Sequence, residues 1–258
     1  MSEFSRLLRV ARTDFSYFFR TKWLMALLIS LNLSDMLITA LVYKRLIGGF
    51  DYFRFLVPGI VLMGLFSAAT DTGRRIWLAL REGVVQYYLT LPIRTFGLVL
   101  AYILSGGLAG TVYASTLLVV ASVVLPPQGR LNILAVLPFL FILSTGIAGL
   151  AALLASLSRQ GEVYWAYAQA LQVSLVTLST IFYPASVIAS VLPGPVAAIA
   201  QGNPLSLAAQ MLRDSVFGGS PLDFGLLGAL LATSFPLVVM GVLAYWVILR
   251  RIRLWGKP

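Results

Sequence analysis

The sequence contains neither cysteine nor histidine. Without cysteine there can be no disulfide and no thiolate metal site. Without histidine, the commonest metal ligand and the commonest general base are both missing. Charge is also scarce: 11% of the 258 residues are Asp, Glu, Lys or Arg, against roughly 25% in an ordinary soluble domain. The only lysines are Lys22, Lys44 and Lys257, and Lys257 is followed by Pro258. A phosphate-binding P-loop needs a glycine-rich turn running into Gly-Lys-Ser/Thr, so the chain cannot hydrolyse ATP by that route. No Gly-x-Ser-x-Gly elbow is present for serine-hydrolase chemistry. An intramembrane aspartyl pair made of Asp35 and Asp71 fails on position, because Asp71 stands beside Arg74 and Arg75 while Asp35 lies nearer mid-membrane. These absences point away from an enzyme and from a metal or cofactor on this chain.

Apolar sequence is abundant instead. Hydrophobic residues make up 59% of the chain, and several runs exceed the ~20 residues that a helix needs to cross a bilayer. The expectation is an all-α integral membrane protein forming a single domain over residues 1–258. Continuous runs of this kind argue against a β-barrel, whose signature is short alternating segments. The net charge of +10 is read as flanking charge that sets topology and touches anionic lipid, with no nucleic-acid partner.

Six transmembrane helices are expected. Residues 1–22 carry five basic residues and no cleavable leader pattern. Phe4, Leu7, Leu8, Ala11, Phe15 and Phe18 recur at helical steps opposite Arg6, Arg9, Arg12 and Ser16. This predicts an amphipathic helix lying in the membrane interface, the alternative being a helix packed on the protein's own cytoplasmic face. The spans follow at about Trp23–Val42, Phe55–Gly73 (with the helix able to continue to Leu80), Phe96–Leu125, Leu131–Leu157, Val163–Phe182 and Phe224–Leu249. Gly106 and Gly110, four apart in the third span, permit close helix contact. Tyr164, Trp165 and Tyr167 open the fifth span as interfacial anchors. Between spans five and six, residues 184–202 are apolar but interrupted by Pro184, Pro193, Gly194 and Pro195. A broken or re-entrant element fits, tolerable where protein or water satisfies its backbone. Leu205–Phe217 should form a short external helix. Of the 19 Lys and Arg residues, 14 fall on the side that holds both termini, which places that side in the cytoplasm.

Two places stand out chemically. Asp35 is the one acidic residue well inside a span, and an ionisable group there costs about 2.5–3.5 kcal/mol on insertion scales. Asn32 and Thr39 lie one turn to either side of it. They form either a substrate-path stripe or a structural hydrogen-bonding face. The other place is Arg81-Glu82-Gly83 through Leu89-Thr90-Leu91-Pro92-Ile93-Arg94, a short polar interruption at residues 81–94. It is expected to hold a small surface helix (about Val84 to Leu89) closed by Pro92, which disfavours helical geometry at Leu91. It reads as a handle for a cytoplasmic partner.

With these features in place, the chain resembles the membrane subunit (permease) of type-two ATP-binding-cassette (ABC) exporters. Arg81-Glu82-Gly83 with Leu89-Thr90-Leu91-Pro92-Ile93 is similar to the family's cytoplasmic coupling segment. Phe182-Tyr183-Pro184 leading to Leu192-Pro193 resembles its aromatic-Pro end of span five and re-entrant hairpin. Asn203-Pro204-Leu205 with Arg213 and Gly218 is similar to its run before the last span. Gly83-Val84-Val85 departs from the Thr/Ser-rich charged character often seen after that glycine. The resemblance implies a multi-pass cell-membrane protein paired with a second copy or a homologous permease. Cytoplasmic ATPase subunits carrying ATP and Mg would dock on the amino-terminal helix and on Arg81, Glu82, Gly83, Gln86, Tyr87, Thr90 and Pro92. The cargo would be an amphipathic drug, lipid or lipid-linked saccharide. An ion-coupled secondary transporter using Asp35 and a non-transporting assembly subunit remain as alternatives. The first of these would normally show paired broken helices in two repeated halves.

Overall fold

The computed structural model of the chain describes residues 3–20, 22–34, 38, 42, 51–124 and 133–255. Among the described residues there is no strand. The helices, in order, are α1 (Glu3–Arg20), α2 (Lys22–Ser34), α3 (Tyr52–Arg81), α4 (Val84–Thr90), α5 (Thr95–Val124), α6 (Ile133–Leu157), α7 (Gly161–Thr177), α8 (Ala185–Val191), α9 (Gly194–Gly202), α10 (Pro204–Met211) and α11 (Phe224–Trp255). A π-helical turn, Leu212–Phe217, continues α10. Among the described residues four helices, α3, α5, α6 and α11, are long and apolar enough to cross a membrane, which fits an integral membrane protein.

Small residues bring these helices together. The α3, α5 and α6 helices pack on one another, and α11 lies along α6. A Cβ on Gly106 would run into Thr72 of α3, and one on Gly110 into Ser144 of α6. The expected close contact at these two glycines is therefore present. On the other side of α6, Gly241 of α11 meets the backbone of Gly149 with no room for a side chain. Where lipid is as apolar as leucine, such backbone approach supplies the packing that burial alone cannot.

The interior divides along the bundle. One cluster holds Leu56, Leu62, Leu65 and Phe66 of α3 with Leu118, Leu140, Leu143 and Leu205. The other holds Ile76 and Leu80 with Val10, Val85, Ile103, Tyr164, Tyr245 and Ile252. They meet at a polar level where Thr72, Ser144, Ser105 and Arg75 are buried.

Several boundaries differ from expectation. The first span is seen only as α2, and its remainder lies outside the described residues. The second starts earlier, at Tyr52, and runs unbroken to Arg81. Its polar stretch stays helical because Asp71 pairs within the helix with Arg74 and Arg75 at three- and four-residue steps. The fifth ends at Thr177 rather than Phe182 and has 17 residues, roughly 26 Å at 1.5 Å per residue, short of a ~30 Å hydrocarbon core. The expected external helix becomes α10 and the π turn. Residues 184–202 do break: α8 ends at an extended Leu192, and Pro193 starts α9.

The amino-terminal helix also turns differently from its hydrophobic pattern. Its inward stripe is Leu7, Val10 and Asp14, packed on α5, whereas Phe4 and Leu8 point outward at 74% and 59% exposure. The helix is thus docked on the protein while still presenting apolar residues outside. Tyr164 is a further correction. It is buried, and its hydroxyl donates to the Thr70 carbonyl at 2.7 Å, so only Trp165 and Tyr167 are exposed there.

Candidate functional site

The handle is a folded unit of its own. Glu82 closes α3 by donating its N–H to the Leu78 carbonyl, and Gly83 then adopts φ +78°, the left-handed conformation that glycine enters without strain. This reverses the chain into α4, a helix of seven residues. Leu91 is extended at φ −76°, ψ 150°, as the following Pro92 requires. Val85 is fully buried and fastens α4 to the core, while Tyr87 points away from the protein at 64% exposure. Arg81 and Glu82 are exposed, with the Arg81 guanidinium 5.7 Å from the Trp77 ring centre. Thr90 donates its hydroxyl to the Tyr87 carbonyl. Gln86 turns partly inward, with its carbonyl oxygen shielded.

The α1 helix clasps this handle. Arg6 donates to the Pro92 carbonyl at 2.9 Å, and the Arg94 backbone N–H donates to the Glu3 carboxylate at 3.0 Å. At the far end of the chain, Arg253 of α11 donates to Thr95, the first residue of α5. One end of the bundle therefore gathers α1, the handle and the basic end of α11.

Beneath the handle lies a buried ionic cluster in which the helical-step pairing of Asp71 with Arg74 and Arg75 is as the spacing suggests, while Asp14 and Ser105 are members that sequence reasoning missed. Asp14 of α1 accepts from Arg75 of α3 at 2.6 Å, and Ser105 of α5 donates to the same carboxylate oxygen at 2.6 Å. Arg75 also donates to the Asp14 carbonyl and to the Thr72 hydroxyl, and its Nε lies 3.3 Å from Asp71. Asp71 in turn holds Arg74 at 2.6 Å. The Arg75 and Asp14 side chains are only 3% and 8% exposed. Burial pushes the Asp14 carboxyl above its ordinary value, against the opposing pull of Arg75 and the Ser105 hydrogen bond. A signal for Asp14 was available: it follows Leu7 and Val10 at helical steps, the one acid on the inward stripe of a basic helix. A cavity of about 180 Å³ opens beside it, lined by Tyr17, Tyr88, Tyr102 and Glu82 among others.

At the other end of α3, the Asn-Pro and Arg motif forms a capping device. The α7 helix stops at Thr177, leaving carbonyls without helical partners. Asn203 donates to the carbonyls of Leu175 and Leu178 at 2.8 and 2.6 Å. Arg213 donates to those of Thr180 and Ile181, and to Phe55 of α3. Tyr52 takes the Phe182 carbonyl at 2.7 Å. Asn203 also caps α10 by accepting the Leu205 N–H, with Pro204 in the first turn where no N–H is needed. The Arg213 guanidinium lies 3.7 Å from the Phe55 ring centre, and burial lowers it to about 10, still cationic at neutral pH. Tyr183 is exposed, and Pro184 and Pro193 open α8 and α9.

Of the three residues expected to line a path, Asn32 donates its amide to the Tyr113 hydroxyl at 3.1 Å. Asp35 and Thr39 lie outside the described residues. Among the described residues no group of three or more acidic side chains could hold a metal ion. Compared with known proteins, the chain matches no protein-family model and no curated sequence.

Proposed function

We propose that this chain is the permease subunit of a type-two ABC exporter, working in the cell membrane as a pair with a second copy or a homologous permease. In this reading it crosses the membrane six times with both termini in the cytoplasm. The α2 helix opens the first span, α7 forms the fifth, and α8–α9 form a re-entrant pair. Separate ATPase subunits supply ATP hydrolysis with Mg. The handle is where they push, and the cargo is an amphipathic drug, lipid or lipid-linked saccharide.

One observation carries the reading. A loop that only reverses the chain has no use for a short helix with a buried anchor, an outward aromatic and a second helix clasped to it. The handle has all of these, through Val85, Tyr87, Arg6 and Glu3. A push on Tyr87 and Arg81 would pass into α3 and α5, which flank the handle directly, and through α1 into the Asp14–Arg75 pair. Rigid-body switching of packed helices, biased by nucleotide on the partner, is the mechanism this geometry supports.

Because the chain lacks cysteine, Tyr87→Cys gives a single crosslinking site, better exposed than Gln86. Coexpressed with the ATPase encoded beside it, the variant should form a crosslink whose yield changes with ATP. If no ATPase co-purifies or crosslinks there, the exporter reading fails and an ion-coupled transporter based on Asp35 takes its place.

A further inference from the structure

The cavity beneath the handle has a lining that the ionic cluster alone does not account for. It measures about 180 Å³ and is walled by residues of α1, α3, α4 and α5. An engineered cavity of roughly 150 Å³ holds a molecule of benzene size, so this one has room for a small ligand. Asp14, Arg75 and Tyr102 form its buried floor, half-buried Tyr88 stands in its wall, and exposed Tyr17 and Glu82 make its rim. The charges around it do not balance. Arg75 is spent on Asp14 and Asp71, and Arg74, near the Tyr17 hydroxyl, is held by Asp71. Those four charges cancel. Arg81 lies over the Trp77 ring, and among the described residues no cation pairs with Glu82. One negative charge is therefore left at the mouth of a pocket lined by three tyrosines. The ring partner of Tyr88 is Tyr87 and that of Tyr102 is Tyr245, so neither is stacked on the other.

We propose that this cavity binds a small organic ammonium ion, and that the bound cation fastens α1 to the handle and the bundle. Aromatic rings attract such ions through the negative face of their π system, most strongly where water is excluded. Glu82 supplies the opposing charge at the rim. A metal ion fits less well. Calcium and magnesium ask for several oxygen ligands, and one Asp14 carboxylate oxygen is already shared by Arg75 and Ser105. An anion would be repelled by Glu82, with Arg75 already engaged. The site goes beyond the exporter reading and does not depend on it, since it gives the chain a small-molecule ligand whether or not an ATPase pushes on the handle. Because four helices supply the lining, the complete site exists only while α1 is docked. A ligand that binds this state alone holds α1 in place by mass action.

The test uses the full chain in non-ionic detergent, without an ATPase. It carries Val10→Cys as its single thiol, a position buried on the inner face of α1. Tetramethylammonium chloride is the probe, and sodium chloride at equal concentration is the control for ionic strength. Maleimide labelling should slow in proportion to one plus the ratio of probe concentration to its dissociation constant, and sodium chloride should not reproduce this. Glu82→Gln removes the rim charge and should raise the half-protecting concentration roughly tenfold. Tyr88→Leu should raise it several-fold, whereas Tyr88→Phe, which keeps the ring, should not. Protection no greater than that given by sodium chloride overturns the site. Equal protection in the parent, Glu82→Gln and Tyr88→Leu overturns its placement beneath the handle. If Tyr88→Leu detaches α1 by itself, Glu82→Gln and Tyr88→Phe still carry the comparison, one removing the charge and the other keeping the ring. The handle crosslink is scored separately, so failure here is distinguishable from failure of the exporter reading.

Discussion

The Asp14–Arg75 pair should decide whether α1 stays attached to the bundle. Both side chains are almost wholly buried, so solvent screening offers little relief. Removing one partner of a buried pair costs about 3–5 kcal/mol, because the other charge is left uncompensated. An effective interaction of about 4 kcal/mol for charges near 4 Å apart gives the same scale. Arg75→Ala would strand Asp14 and would also take the donor from the Asp14 carbonyl. If this weakens α1 docking by about 4 kcal/mol, the population of the detached state rises on the order of a thousandfold, at tenfold per 1.4 kcal/mol. Val10, buried on the inner face of α1, reports that state. In a Val10→Cys background, maleimide labelling should accelerate by hundreds of fold when Arg75→Ala is added. The paired replacement Asp14→Leu with Arg75→Met should stay within about tenfold of the parent, because well-packed apolar residues often replace a buried ion pair without loss. Unchanged labelling in Arg75→Ala would refute the reasoning. Equal acceleration in the paired variant would show that shape, not charge, holds α1.

Three further outcomes follow from named contacts. Because burial raises the Asp14 pKa, its contribution to stability is full below the ordinary carboxylate value of 3.8 and is lost as pH rises through the raised value. The stability of the native chain minus that of Asp14→Asn, measured by thermal unfolding in detergent, should therefore fall as pH rises above about 4 and then level; a rise over that window contradicts the assignment. Arg213→Ala would orphan the carbonyls of Thr180 and Ile181 and should destabilise by on the order of 3 kcal/mol, at about 1–3 kcal/mol per buried unsatisfied group. Arg213→Lys should recover only part of this in denaturant titrations, having no planar fork. Gly83→Ala meets nothing closer than Gln86 at 3.7 Å, so its cost is conformational, about 1–2 kcal/mol for a left-handed residue; stability loss much beyond that would mean the handle is packed more tightly than its geometry indicates.

The parts of this fold that periodicity and composition reveal are those built from local rules. The long runs of α3, α5, α6 and α11, the turn at Gly83, the stop at Leu91-Pro92 and the break at Leu192-Pro193 all follow from residues within a few positions of one another. The α7 end does not. Its runs of apolar residues continue to Phe182, but the helix stops at Thr177, with carbonyls at its end taken by Asn203 and those of the residues that follow taken by Arg213 and Tyr52, some 25 to 130 positions away. The rotation of α1 was hidden for a similar reason. Its apolar pattern alone chooses a face containing Phe4 and Leu8, whereas the buried arginine on α3 pulls Asp14 inward. Placing a carboxylate beside Arg75 outweighs the burial of two more apolar side chains that lipid can cover instead.

The same comparison explains why the two ends of α3 are built differently. At the Tyr52 end, polar side chains hold backbone carbonyls released by a broken helix, and the Arg213 guanidinium rests on the Phe55 ring and three carbonyls. Those bonds fix one conformation, since the Thr180 and Ile181 carbonyls would otherwise lose the Arg213 donor. At the Arg81 end, paired charges on separate helices hold α1, α3 and α5 together around a cavity of about 180 Å³. Ion pairs with space beside them can exchange partners: Arg75 already touches both Asp14 and Asp71. A bundle that must stay shut at one end and be pushed at the other would need this asymmetry, with the exchangeable contacts beneath the handle.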